Sequence, residues 1–377
     1  MFLTRGLQVW ACLLPQEVPF ATVARLLGWQ ASEAGVLSAT AVRTLVRAHG
    51  GRIRRLERAE AAILLRHHAR GGQLLRGVPR GRPRRRAGWP LELTGAVAAA
   101  LARDQARPPE GVSWADWERV LAARRAEAGA NAEDLRRLGP EVAPGQLVVA
   151  IDEILTPAPA PGRFHELRTA CLLTHETRRY LSGTGEGFLR QLRAAMHTCV
   201  DQSLLVLMDG ARWIRAAFRD HLADLPQAEM VLDWHHLRQR CWDMAGRICR
   251  GYPTRLTLLR QLLRHLWGGH ADRAIGALAA HRPRAADPEA VDALIAYLRD
   301  RSAWIPDYRA RRRQRCYIGS GQGEKANDRL VARRQKNREM QWSARTSDTL
   351  AALRTLLLND GWDCYWRDRK PFMLCAA

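Results

Sequence analysis

Three acidic side chains stand where metal-assisted phosphodiester chemistry would need them. Asp152 follows the apolar run Leu147-Val148-Val149-Ala150-Ile151. Asp209 follows Leu204-Leu205-Val206-Leu207-Met208, and Glu324 opens a helix-like stretch after Gly319-Ser320-Gly321-Gln322-Gly323. Hard divalent cations such as Mg²⁺ or Mn²⁺ prefer carboxylate oxygens, so a cluster of this kind is where such chemistry begins. Taken singly, an Asp at a strand end or a Glu at a helix start is an ordinary cap. Three of them, each beside a strand-like or helix-like segment, are candidates for one metal site.

The flanking elements follow from periodicity. Gln146 to Ile151 is β-like, Arg168 to Thr174 and Arg179 to Ser182 form a hairpin, Glu186 to Asp201 has a helical period, and Ser203 to Met208 is a strand. A helix over Ala211 to Leu225 and a strand over Ala228 to Leu232 come next. About 85 residues of mostly helical pattern precede Tyr317, and helices are predicted from Glu324 to about Arg338 and from Ser347 to Leu358. Side chains alternate along a strand, so Asp152 and Glu153 face opposite sides of the sheet and only one enters a given site.

Composition names the kind of partner. The 377 residues carry a formal net charge of +22, and only Lys325, Lys336 and Lys370 are lysine. Such an excess repels itself and calls for a polyanion, nucleic acid before an anionic membrane surface. No apolar run reaches the length of a membrane-spanning helix, and the first fifteen residues lack a clear signal-cleavage site. The eight cysteines include no Cys-x-x-Cys pair, which speaks against a zinc ribbon and against a disulfide framework. Histidines grouped for zinc are also lacking, since His235 and His236 are adjacent while His265 and His270 are remote. Reduced thiols in a cytoplasmic, nucleoid-associated protein are the expectation.

Residues 1–75 read as a mainly helical, helix-turn-helix-like DNA-binding region. A helix over 20–27 ends at Gly28, and a second, basic one over 39–48 carries Arg43 and Arg47 after Ser38 as N-cap. The connection is longer than the tight turn of that motif, and a plain helical hairpin is the alternative. Residues 76–90 form an Arg/Pro/Gly-rich linker, RGVPRGRPRRR at its heart, that cannot pack as a regular element. Its Arg80, Arg82 and Arg84 either lie in a narrow minor groove, as in an AT-hook, or touch phosphates without reading sequence. Residues 91–145 are predicted helical, with Trp114 and Trp117 on adjoining turns.

Four motifs in order carry a resemblance: Ala150-Ile151-Asp152-Glu153, Met208-Asp209-Gly210-Ala211, Asp233-Trp234-His235-His236 and Ile318-Gly319-Ser320-Gly321-Gln322-Gly323-Glu324. With the tail from Met340 to Trp366, they make residues 146–366 resemble the catalytic domain of bacterial insertion-sequence DDE transposases of the mutator-like branch. The resemblance implies an α/β fold: an RNase H-like mixed sheet (146–233 and 317–366) with an all-helical insertion (234–316). It implies Asp152, Asp209 and Glu324 as catalytic residues and metal ligands, holding two Mg²⁺ or Mn²⁺ ions. Asp233 and His236 fit the branch's Asp-x-x-His signature and would orient the site or the insertion, or else be a helix cap and a buried histidine.

The implied reaction is cleavage at transposon ends, followed by attack of the freed 3′-hydroxyl on target DNA. The implied partners are double-stranded terminal repeats and target DNA, met by a homodimer or higher oligomer. Two alternatives share the fold: a domesticated protein that binds DNA without cutting it, and a structure-selective nuclease. Arg311, Arg312 and Arg313 before the last motif, and Arg333, Arg334, Lys336 and Arg338 after it, are expected to hold DNA phosphates, with strong salt dependence. Trp242 and Trp267 in the insertion either stack on a flipped base or pack in its core.

Overall fold

Alternation along one strand organises the molecule. In the computed structural model, β1 (Gln146–Pro157) sends Leu147, Val149 and Ile151 into one apolar core and Val148, Ala150 and Ile154 into another. The remaining strands are β2 (Phe164–Leu173), β3 (Thr177–Gly183), β4 (Ser203–Met208) and β5 (Ala228–Leu232). These five lie in the order β3-β2-β1-β4-β5. β1 pairs antiparallel with β2, and β2 with β3, whereas β1–β4 and β4–β5 are parallel. The chain is therefore mixed α/β.

The structure describes residues 3–33, 35–69, 82–83, 140–199, 203–218, 228–337 and 340–368. Apart from Pro83, Pro140 and Glu141, these belong to one compact unit comprising Met1–Arg82 and Val142–Ala377. Arg80, Arg84, Arg338, Trp114 and Trp117 lie outside the described residues, as does nearly all of 91–145. Arg82 and Pro83 form a two-residue strand, the one described part of the Arg/Pro/Gly-rich linker.

One face of the sheet is covered by α4 (Gly185–Cys199) and α5 (Arg212–Ala217), which bring Phe188, Leu192, Met196 and Ile214 against Leu147, Val149 and Val206. The other face shares its core with the helices that follow β5: α6 (Trp234–Ile248), α7 (Tyr252–Trp267), α8 (Ala271–His281), α9 (Pro288–Arg301) and α10 (Tyr308–Arg313). The chain returns as α11 (Gly321–Asn327), a π-type turn over Asp328–Ala332 and a last helical turn at Arg333–Gln335. The single helix expected from 324 to 338 is thus interrupted directly after Asn327. Single π turns of this kind concentrate at functional sites. Finally α12 (Ala344–Leu358) and α13 (Trp362–Asp368) close the unit.

The N-terminal helices α1 (Arg5–Leu13), α2 (Phe20–Gln30) and α3 (Ala39–Ala69) depart from the expected helix-turn-helix in size and placement. The helix expected over 39–48 is the first third of a 31-residue helix packed along α12. Gly50 permits that contact, because a Cβ there would collide with the Thr349 carbonyl oxygen. Below it, Arg54 is 3% exposed and donates to Asp348 Oδ1 at 3.0 Å and to Glu57 Oε2 at 2.9 Å. The same guanidinium donates to the Ser182 carbonyl on β3. Val46, Ile53, Leu350, Leu353 and Trp366 complete a shared core. The N-terminal helices are therefore built into the same unit as the sheet.

Candidate metal centre and its surroundings

Asp152 does not end its strand. β1 continues to Pro157 because its antiparallel partner β2 keeps pairing as far as Pro157 opposite Phe164. On its other side, parallel pairing with β4 is recorded only as far as Ala150 opposite Leu207. Two further steps along that register bring Asp209 level with Asp152. By alternation Asp152 shares the face of Val148 and Ala150. Glu153 points to the opposite face, where its carboxylate meets Trp213 and the charges of Glu166 and Arg168.

Glu324 approaches from α11, and among the described residues Asp152 and Asp209 do not form with it a group whose ligand atoms all lie within 4.8 Å. Gly323 packs on β1, where a Cβ would lie 3.4 Å from Cβ of Asp152, and Glu324 is the next residue along the helix. Burial pushes the Asp152 carboxyl up to about 6. The Glu153 amide partly offsets this, while the charges of Asp209 and Glu324 push further. Negative charge pressing on a buried carboxyl is relieved by a cation. The hard oxygen donors of carboxylates fit Mg²⁺ or Mn²⁺. Asp209 is oriented by the Ala211 amide, which donates to its Oδ1 at 2.8 Å. Arg301, at the end of α9, donates to the Gly210 carbonyl at 2.9 Å and braces the same turn.

Asp233 is the junction between sheet and insertion. Its backbone amide donates to the Met208 carbonyl at 2.7 Å, beside Asp209, and the Trp234 amide donates to the Ile318 carbonyl at 3.0 Å. Its side chain is 0% exposed and accepts four donors. Oδ1 takes the amides of His235 (2.5 Å) and His236 (3.1 Å); Oδ2 takes the amide and the hydroxyl of Ser320. Burial opposes its ionisation, but the donors from His236 and Ser320 outweigh burial and hold the carboxyl well below the usual range. His236 Nδ1 stands 3.5 Å from Asp233 Oδ2. That contact pushes the imidazole up to about 9 against burial, and the charges of Asp209 and Asp152 add to it. The shift favours the cationic form of a ring that lies beside Asp233 and Glu324.

Among the described residues, one group of three acidic or histidine side chains has ligand atoms all within 4.8 Å of one another: Asp233, His236 and Glu324. Its spacing suits a metal ion. Asp233, however, already spends two acceptor positions on each oxygen, so it has little left to offer an ion. Glu324, exposed at the start of α11, belongs to both groups: its carboxylate neighbours His236, and its charge acts on Asp152.

The basic residues divide sharply. Arg43, Arg312, Arg313 and Lys336 are exposed. Arg333 is exposed and paired with Asp328 at 2.6 Å. Arg47 is turned onto α12, donating to Thr346 Oγ1 at 2.8 Å, and Arg311 is engaged by the Tyr317 carbonyl and Glu229. Arg334 departs most from the expectation of a DNA contact. It is 6% exposed, donates to the carbonyls of Pro15 and Val18, and stacks over Trp342. Arg334 falls on the buried face of this helical stretch, in register with Gly323, Asn327 and Leu330, while Arg333 and Lys336 lie on the outer face.

Both insertion tryptophans are packed. The Arg255 guanidinium lies 4.0 Å over the Trp242 ring, and Trp267 adjoins Trp234 and Tyr308 with ring centroids 4.7 and 6.1 Å away. Three residues bearing on the site escape a sequence reading. Asn327 is visible only as a polar residue one turn after Glu324, Ser320 only as part of a glycine-rich turn, and Thr169 only once strand register is known. Compared with known proteins, the chain matches no family model and no curated protein.

Proposed function

We propose that the chain is a DNA transposase of the DDE type, cleaving at element ends and joining the freed 3′-hydroxyl to target DNA. One observation carries the reading: the charges of Asp209 and Glu324, from separate elements, both act on the half-buried Asp152 carboxyl on the central strand of a mixed sheet. The strand order β3-β2-β1-β4-β5, antiparallel on one side and parallel on the other, supports an RNase H-like fold. Helices inserted between β5 and α11 support the branch with a helical insertion.

In this reading Asp152, Asp209 and Glu324 would hold two Mg²⁺ or Mn²⁺ ions. Such ions favour an in-line displacement by lowering the pKa of the attacking hydroxyl and stabilising the departing oxygen. Asp152 and Asp209 supply preset carboxylates, each fixed by one backbone donor. Glu324, exposed on the helix that faces them, closes the site. Asp233 and Ser320 fix the turn that delivers Glu324. His236 balances the negative charge and presents a cation toward phosphate. Arg312, Arg313, Arg333 and Lys336 offer the sequence-independent contacts to the DNA backbone. Two element ends require two such sites, hence a dimer on DNA.

The test is incubation of the full chain with Mg²⁺ and labelled DNA bearing the repeat ends that flank its coding sequence, with Glu324→Ala as control. End-specific nicking lost in Glu324→Ala supports the reading. Binding without nicking, or cutting of branched DNA regardless of end sequence, overturns it.

A further inference from the structure

We infer that Asn327 and Thr169 form a positioning relay that sets the orientation of the Asp152 carboxylate, and with it the affinity of the site for its cation. The inference rests on the metal-site reading above and extends it to two residues that reading does not use.

The geometry is specific. Asn327 Nδ2 donates to Asp152 Oδ2 at 2.7 Å and also faces the Glu153 carbonyl at 3.2 Å. Its other end, Oδ1, accepts the Thr169 hydroxyl at 2.6 Å. An amide side chain has two ends of nearly equal shape and opposite hydrogen-bonding character. Here two acceptors claim the nitrogen and one donor claims the oxygen, so only one flip satisfies all three. Asn327 is 9% exposed and Thr169 0%, so water cannot easily substitute for either partner.

Each member is placed by its backbone. Thr169 lies directly opposite Asp152 in the β1–β2 ladder, so both side chains rise from the same face. Asn327 lies three positions after Glu324 on α11, on the same side of that helix. One helical face therefore carries a metal-facing carboxylate and, a turn later, the amide that holds its counterpart on the strand.

With the Glu153 amide on Oδ1 at 2.8 Å, each Asp152 oxygen is held by a fixed donor and keeps a lone pair for a cation. The carboxylate cannot turn without breaking one of these bonds. Groups that orient a metal ligand typically alter metal affinity by about 10–100-fold when removed.

The experiment is calorimetric titration of the full chain with Mn²⁺, comparing wild type, Asp152→Ala, Asn327→Leu, Thr169→Val and Thr169→Ser, with thermal unfolding as the check on folding. The expected result is loss of binding in Asp152→Ala and about 10–100-fold weaker binding in Asn327→Leu. Thr169→Val should also weaken binding, and Thr169→Ser, which keeps the hydroxyl, should restore it. If Asn327→Leu does not fold, the Thr169 pair decides alone, since Val replaces Thr at nearly equal shape. Wild-type affinity in folded Asn327→Leu or Thr169→Val, with binding lost in Asp152→Ala, overturns the relay and leaves the metal site standing. Wild-type affinity in Asp152→Ala overturns the metal site and the relay together.

Discussion

The hydroxyl of Ser320 donates to Oδ2 of Asp233 across 2.6 Å, joining residues 87 positions apart at the two ends of the helical insertion. This contact closes the loop in chain topology: the insertion leaves the sheet and returns to it through one buried carboxylate. Asp233→Ala removes the acceptor of four donors, three of them backbone amides. Leaving such groups unsatisfied costs about 1–3 kcal/mol each, offset where water enters. Chemical denaturation should show a loss of at least about 2 kcal/mol. Asp233→Asn, which keeps one acceptor oxygen, should lose less.

The same carboxylate and His236 make stability depend on pH. His236 in the folded chain is pushed up to about 9, above the roughly 6.5 of an unfolded histidine. A raised pKa contributes stability that is complete below about pH 6.5 and is lost as pH climbs toward 9. Asp233 has a depressed pKa, so its contribution is present above about pH 3.9 and is lost only as pH falls below that. Denaturation midpoints measured in chelator between pH 6.5 and 9 should fall in wild type and stay flatter in His236→Gln. Parallel profiles for the two would remove His236 as the cause.

Gly210 follows Asp209 at φ +84°, and a Cβ there would stand 2.8 Å from Arg301 Nε and 2.9 Å from a Leu232 methyl. Gly210→Ala therefore meets both a left-handed backbone and a crowded site. A destabilisation of about 1–3 kcal/mol is expected, visible as a lowered Tm. An unchanged Tm would mean that the turn after β4 is not held as described.

Arginines of equal sequence promise should behave differently. Arg334→Met removes donors from the buried carbonyls of Pro15 and Val18, so it should lower stability. Arg312→Gln with Arg313→Gln removes two exposed charges. The double variant should keep its Tm while the slope of log affinity for DNA against log salt falls by about 2. A stable Arg334→Met with weakened DNA binding would reverse this assignment.

That contrast shows what the sequence made legible. The strands around Asp152 and Asp209 could be read because each contains an unbroken apolar run of five residues. Glu324 stood out through its glycine-rich turn. Alternation set Asp152 and Glu153 on opposite faces, and the resemblance picked Asp152 for the site. Other features depend on long-range partners. Arg334 looks like Arg333 until the N-terminal helices are seen to supply the carbonyls of Pro15 and Val18 that it meets. The helix at Ala39–Ala69 looks separable until Gly50 and Arg54 are seen fitted against Thr349 and Asp348. Thr169 gains meaning only from strand register. Asp233 and His236 were visible as a pair, but the partner that gives Asp233 its work, Ser320, lies beyond the whole insertion.

The most direct test is a crystal of the full chain soaked in Mn²⁺ and measured for anomalous scattering. Strong peaks within about 2.1–2.3 Å of carboxylate oxygens of both Asp152 and Asp209, with Glu324 completing the shell, are the predicted result. A peak held only by Asp233, His236 and Glu324, with Asp152 and Asp209 bare, would contradict the account.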